Sequence, residues 1–173
     1  MPRPRKTRTT LLTKSEQMAR VRSKDTEPEQ ALRRALWAAG LRYRLRLKLP
    51  GTPDIVFPRA KVAVFIDGCF WHGCPVHYTR PATNSAFWSR KLGVNQERDR
   101  RVDRDLAEMG WTAVRVWEHE VASELDGVIG RILPLVQCAE AERRAVRRTS
   151  TRPDQARAIA LDTAARVPKR SKP

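Results

Sequence analysis

The chain has little of what a disulfide scaffold, a membrane span or a secretory leader requires. Three cysteines in 173 residues cannot form a disulfide framework, and a chain this long can bury a core without one. No apolar run approaches the ~20 residues of a membrane span. Met1-Pro-Arg-Pro-Arg-Lys6 is cationic, but no apolar segment follows it, so the expectation is a soluble, cytoplasmic protein. Acids are scarce as well, 19 Asp and Glu against 35 Lys and Arg, and the net charge is +16. That excess sits at the ends: residues 1–24 carry +7 and residues 139–173 carry +6, leaving +3 for the middle. Either the ends are solvated tails, or they are arms that collect phosphates and release counterions. Both readings leave a polyanion as the natural partner.

The pattern divides into a basic N-terminal arm (1–14), one domain (15–138) and a basic tail (139–173) rich in Ala and Arg, on which no fold is imposed. Thr26 and Glu29 fit a capping box, with Pro28 in the first turn and Ala31, Leu32, Ala35, Leu36 and Ala39 forming an apolar stripe that stops at Gly40. From Leu41 to Leu49 every odd position is apolar and every even one cationic, which predicts a strand with one wet face. Two short apolar strands follow, 54–57 and 61–66, then a long loop-rich insertion over 67–95. A charged helix (96–109), a strand (111–117) and a closing amphipathic helix (121–138) complete the domain. The expected fold is therefore α/β, a mixed sheet with flanking helices.

Residues 65–77, Phe-Ile-Asp-Gly-Cys-Phe-Trp-His-Gly-Cys-Pro-Val-His, concentrate the chemistry. Cys69-x4-Cys74-x2-His77, with His119 far along the chain, supplies four ligands of the kind tetrahedral structural zinc prefers. The alternative is a pair of buried free cysteines beside incidental histidines. Cys138 reads as core. Asp54, opening one strand, and Asp67, closing the next, resemble the PD-(D/E)xK nuclease pattern, in which an aspartate holds Mg²⁺ against the scissile phosphate. The lysine of that pattern is missing, since Gly68 and Cys69 follow Asp67. His72 is the remaining candidate for the general base, or else one more nitrogen near the zinc. Glu29 doubles as a capping residue, and Asp99 as a solvated helix charge. Phe70, Trp71 and Trp88 lie off any periodic face, either as core or as wedges between bases.

Taken together, these residues resemble the very short patch repair DNA mismatch endonucleases. The likeness runs from about Met18 to about Val121. Its motifs, in order, are Met18 to Glu29, Leu49-Pro-Gly-Thr-Pro-Asp54, Val64 to Pro75, Phe87-Trp88, Lys91 to Asn95, Glu97-Arg-Asp99 and Trp117-Glu-His119. The resemblance implies a restriction-endonuclease-like core with a structural zinc at Cys69, Cys74, His77 and His119. It implies a Mg²⁺-dependent monomer that nicks double-stranded DNA 5′ of the thymine in a T·G mismatch left by deamination of 5-methylcytosine. Other repair proteins are conceivable partners. Asp54 would be the principal Mg²⁺ ligand, assisted by the main-chain carbonyl near Ile66, and His72 would activate water. Glu29, Asp67 and Asp99 would support the metal or the histidine. Phe70, Trp71 and Trp88 would intercalate from one side and Met18 from the other. Some members have His where this chain has Asp67. Two rival readings are a restriction-type enzyme that cuts matched DNA and a non-catalytic, zinc-stabilised DNA-binding protein. The first is disfavoured by the aromatic residues, the second by Asp54 and His72.

Overall fold

The computed structural model describes residues 24–150, with side chains as far as Val146, so the arm 1–14, Met18 and residues 151–173 lie outside the described residues. The elements in chain order are α1 (Glu27–Ala38), β1 (Ile55–Phe57), β2 (Val62–Asp67), α2 (Cys69–His72), α3 (Ser85–Glu108), β3 (Thr112–Trp117), α4 (Glu118–Ser123) and α5 (Leu125–Ser150). The architecture is the expected mixed α/β one, a three-stranded sheet with β2 in the centre. β1 pairs with β2 antiparallel, Ile55 opposite Val64. β3 pairs with it parallel, from Val62 opposite Thr112 to Asp67 opposite Trp117.

A strand paired on both edges and covered on both faces must be apolar nearly throughout, and Val62, Ala63, Val64 and Phe65 are all buried. Val62 and Val64 face a cluster that contains Leu32 and Leu36 of α1, Val121 of α4 and Val128, Ile132 and Val136 of α5. Ala63 and Phe65 face Val102 and Leu106 of α3. Carried two residues further, the same alternation puts Asp67 on the α3 face at the C-terminal end of the strand. Among the described residues no helix is long and apolar enough to cross a membrane.

Several elements differ from the sequence reading. Leu41–Leu49 contributes no strand beyond one isolated bridge, Arg44 to Val56. Arg46 takes a left-handed backbone conformation, φ 59°, which interrupts the extended chain and leaves Leu45 exposed. The cationic positions Arg42, Arg44, Arg46 and Lys48 still face water. The insertion over 67–95 is shorter than expected, because α2 occupies its start and α3 begins at Ser85. The single closing helix is two, broken at Glu124 (φ −135°, ψ 39°). The second continues to Ser150 with Pro134 inside it, beyond the point where the sequence reading ended it. Cys138 is exposed, not core: the buried stripe of α5 runs through Val128, Ile132 and Val136, and Cys138 lies off it.

The loop before β1 is held by a close approach. Gly51 has φ 72°, and a methyl group there would lie 2.5 Å from Val102 Cγ1. Gly51→Ala is expected to lower stability by about 1–3 kcal/mol through overpacking and a disfavoured φ, read as a shift in the denaturant midpoint.

Candidate active site and metal centre

Asp54 stands at the mouth of β1, where its backbone N–H donates to Val64 O at 3.0 Å. Its side chain turns back onto β2, and Oδ2 accepts the Ile66 N–H at 2.8 Å. Burial pushes this carboxyl up to about 6, with the neighbouring Glu29 and Asp67 charges adding to the effect and the Ile66 hydrogen bond opposing it. Asp54, Ile66, Asp67, His72 and Asp99 all line one open cleft of about 500 Å³. Thr52 and Asp54 also border a second cleft of about 460 Å³ that contains Glu29, Arg33, Arg46 and Lys48. Thus the structure brings together five of the residues singled out in the sequence and sets Glu29 on the far side of Asp54.

His72 is not part of the cysteine cluster. Its Nδ1 lies 2.6 Å from Asp99 Oδ2 and 3.5 Å from Asp67 Oδ1. Burial would raise the Asp99 carboxyl, but the His72 hydrogen bond and the nearby Arg115 and Arg98 charges outweigh it and hold the group low. An ionised carboxylate only accepts hydrogen bonds, so Nδ1 carries the proton and neutral His72 keeps its lone pair on Nε2. Asp67 is raised by burial, against the pull of His72 and Arg115.

Arg115, which the sequence reading passed over, is the hub of these carboxylates. It donates from Nη1 to both oxygens of Asp67 (2.9 and 3.0 Å) and from Nε to both oxygens of Asp103 (3.1 and 3.2 Å). The available signal was a lone arginine in an otherwise uncharged strand. Arg33 plays a similar part for Glu29, with Nη2 2.6 Å from Oε2. Glu29 also accepts the Thr26 hydroxyl and the Asp25 N–H, both at 3.0 Å. The expected capping box is therefore not formed: Thr26 makes no side-chain bond to the helix N-terminus, and Glu29 accepts the Thr26 hydroxyl and the Asp25 N–H in place of the Thr26 N–H.

The distribution of partners tests the fit of a hard cation. Glu29 has Arg33, Asp67 has Arg115, and Asp99 has His72 and Arg98. Among the described residues, no Lys or Arg lies within ion-pair distance of Asp54. A half-buried carboxylate with one N–H donor and an acidic neighbourhood suits a divalent cation with oxygen ligands.

The soft ligands form a separate set. The ligand atoms of Cys69, Cys74, His77 and His119 all lie within 4.8 Å of one another. Cys74 Sγ is 3.6 Å from His119 Nδ1 and 3.8 Å from His77 Nδ1, while Cys69 Sγ is 3.1 Å from His119 Nδ1. Tetrahedral zinc with Zn–S ≈ 2.3 and Zn–N ≈ 2.0 Å places sulfur and nitrogen ligands about 3.5 Å apart, so the four side chains fit such an ion. Burial pushes the Cys69 thiol up to about 11, a cost that a bound cation reverses. The centre ties the start of α2 to the start of α4, reinforced by the Cys69 N–H donating to Glu118 Oε1 at 2.7 Å.

The aromatic residues cluster beside it. Phe70 packs on Trp71 and on Trp88 with ring centroids 5.2 Å apart in each case, and Trp88 packs on Phe87 at the same distance. Phe70, Trp71 and Trp88 are half-buried, and Phe87 is exposed. Buried Asn95 donates to Trp71 O at 2.8 Å, and Gly73 (φ 72°) leaves no room for a methyl group against Leu92. Both contacts seat α2 on α3.

Comparison with known proteins identifies the family of the chain. A profile described as DNA mismatch endonuclease Vsr matches residues 8–77. The type II nicking enzyme V.NaeI of Lentzea aerocolonigenes is 53% identical over 113 residues, which cover 62% of this chain and 68% of that protein. The type II nicking enzyme V.XorIIP of Xanthomonas oryzae pv. oryzae is 44% identical, covering 66% and 85% respectively. The DNA mismatch endonuclease Vsr of Escherichia coli K12 is 40% identical, covering 61% and 69%. By these likenesses the chain is a DNA endonuclease. It belongs to the Vsr family.

The soft-ligand set generates a direct expectation. The protein should carry one tightly held divalent ion per chain, and Co²⁺ in its place should show thiolate charge-transfer absorption. Cys74→Ala should lose both the ion and that absorption and melt at a lower temperature, as checked by elemental analysis and calorimetry.

Proposed function

We propose that the chain nicks one strand of double-stranded DNA, with Mg²⁺, 5′ of the thymine of a T·G mismatch arising from 5-methylcytosine deamination. The observation that carries the reading is the convergence of Asp54, Asp67, His72 and Asp99 on one open cleft. Two relatives are named for nicking and a third for mismatch endonuclease activity, which supports the same chemistry.

In this reading Asp54 and the main-chain carbonyl of Ile66 hold the Mg²⁺. When bound, the ion polarises the scissile phosphate and offsets its developing charge. His72 accepts the proton of the attacking water at Nε2, while Asp99 fixes the ring by holding the Nδ1 proton. Asp67 and Glu29 shape the field on the two sides of Asp54. Zinc at Cys69, Cys74, His77 and His119 is structural, and it keeps α2 rigid beneath the cleft.

The aromatic rings supply selectivity. A wobble pair opens its stack more cheaply than a matched pair, so side chains that wedge between base steps convert mismatch instability into preference. Phe70, Trp71 and Trp88 form one surface that suits this, and Met18 is proposed to approach from the other groove. The exposed cations Arg42, Arg44, Arg46 and Lys48 are placed for phosphates. A single nick needs only one such site, which suits a monomer.

Strand-specific nicking of labelled duplexes with Mg²⁺, comparing T·G with matched C·G, tests the reading. The T strand of the mismatch should be cut and the matched duplex spared. Asp54→Ala should abolish cutting but still bind DNA, and His72→Ala should slow it by about 10²–10⁴-fold. Equal cutting of matched DNA would move the protein to the restriction class. Tight binding without metal-dependent cutting in several sequence contexts would leave a non-catalytic binder.

A further inference from the structure

We infer that Arg115 is a positioning residue for strand cleavage, one whose guanidinium holds Asp67 and Asp99 in place around His72. The inference rests on the nicking reading above and assigns a role to a residue outside it.

The placement begins with register. Arg115 sits opposite Phe65 in the parallel β2–β3 pair, so its side chain shares the α3 face with Phe65 and Asp67. There its Cζ lies 4.7 Å above the Phe65 ring, a cation–π contact that fixes the plane of the guanidinium. Within that plane each edge has a separate acceptor. Nη1 takes Asp67 at the end of β2, and Nε takes Asp103 on α3. Nη2 donates to the Asp99 main-chain oxygen at 3.4 Å and lies 3.7 Å from Asp99 Oδ1. One rigid fork therefore spans β2 and α3, the two elements whose carboxylates touch His72.

The charge arrangement makes this more than an ion pair that stabilises the fold. His72 Nδ1 faces Asp99 and Asp67 together, and Asp103 stands just beyond on the same helix. Among the described residues, the only other cation paired to the group is Arg98, which is half exposed. Without Arg115, Asp67 would be a buried carboxylate facing only His72, with no cationic partner among the described residues. Asp67 and Asp99 would then compete for the one imidazole proton, and the ring would have no single orientation. With Arg115 present, Asp67 is engaged on its other side, and the 2.6 Å bond to Asp99 is the shorter of the two. Arg115 also lines the catalytic cleft and the adjoining one of about 330 Å³, so the place it occupies is reachable from solvent. A lysine there could supply charge but not three contacts in one plane.

Single-turnover nicking of the T·G duplex and its dissociation constant, measured for wild type, Arg115→Ala and Arg115→Lys, test the assignment. Folding of each variant is followed by circular dichroism. Arg115→Ala is expected to lose about 10²-fold in the rate constant, as misplaced catalytic groups do, with DNA affinity within threefold of wild type. Arg115→Lys should fall between the two. Millimolar guanidinium, against NaCl at equal ionic strength, should restore the Ala variant at least fivefold and leave wild type unchanged. Rate constants within threefold of wild type in folded variants would overturn the inference. So would loss of folding in both variants, or a rate loss that guanidinium does not relieve. A wild-type protein that nicks neither duplex would instead refute the nicking reading itself.

Discussion

Two-sided burial of β2 is the constraint on which the rest depends. The strand is hydrogen-bonded to β1 on one edge and β3 on the other, and helices cover both of its faces. Its residues have no freedom of face, since a slip of one position would turn Val62 and Val64 toward α3 and Asp67 into the apolar cluster. That rigidity fixes three features of the site at once. It sets Asp67 on the α3 side, it offers the Ile66 N–H to Asp54, and it delivers α2 directly off the strand end. A site built on strand ends inherits the precision of the sheet, which loops alone do not supply.

The second constraint is electrostatic. In a chain of net charge +16 the site gathers carboxylates, with Asp67 and Glu29 buried and Asp54 and Asp99 half-buried. Like charges about 4 Å apart repel by about 4 kcal/mol at an effective dielectric of 20, so such a cluster cannot stand without cations. The arginines answer from the cleft walls: Arg33 pairs with Glu29, and Arg115 with Asp67, Asp99 and Asp103. Each draws its carboxylates into a fixed direction. Asp54 alone is left without such a partner among the described residues, and burial lifts its carboxyl to about 6. The uneven pairing concentrates the demand for positive charge at one carboxylate, where a hard cation does the most good.

The sequence carried much of this and missed identifiable parts. The α1 stripe, both short strands and β3 were legible because period and chain punctuation agreed there. The strand expected over Leu41–Leu49 was not realised, since perfect alternation says nothing about a backbone turning to φ 59° at Arg46. Cys138 was misread because Pro134 and Leu135 blur which stripe of α5 faces inward. The gathering of Cys69, Cys74, His77 and His119 was legible from ligand type. That of Asp54, Ile66, Asp67, His72 and Asp99 depended on strand pairing and helix docking that no local pattern encodes. Arg115 shows the limit most clearly. Its partners Asp67 and Asp103 are 48 and 12 residues away, and nothing in Thr112–Trp117 announces them.

α2 shows how few residues join the parts. It is one turn long, Cys69-Phe-Trp-His72, and successive side chains of a helix point about 100° apart. Cys69 therefore faces His119 and the soft-ligand set, Phe70 and Trp71 meet Trp88, and His72 reaches Asp99. A four-residue helix has no stability of its own, so its geometry must be imposed from outside. The Cys69 N–H on Glu118 imposes it from α4, and the Asn95 bond to Trp71 O and the tight seat of Gly73 against Leu92 impose it from α3. It follows that His72, the aromatic surface and the soft-ligand centre cannot shift independently. A displacement of Phe70 or Trp71 by a base step would be felt at His72 through a single turn of backbone. Conversely, disruption of the soft-ligand set at Cys69 would loosen the aromatic surface and His72 together.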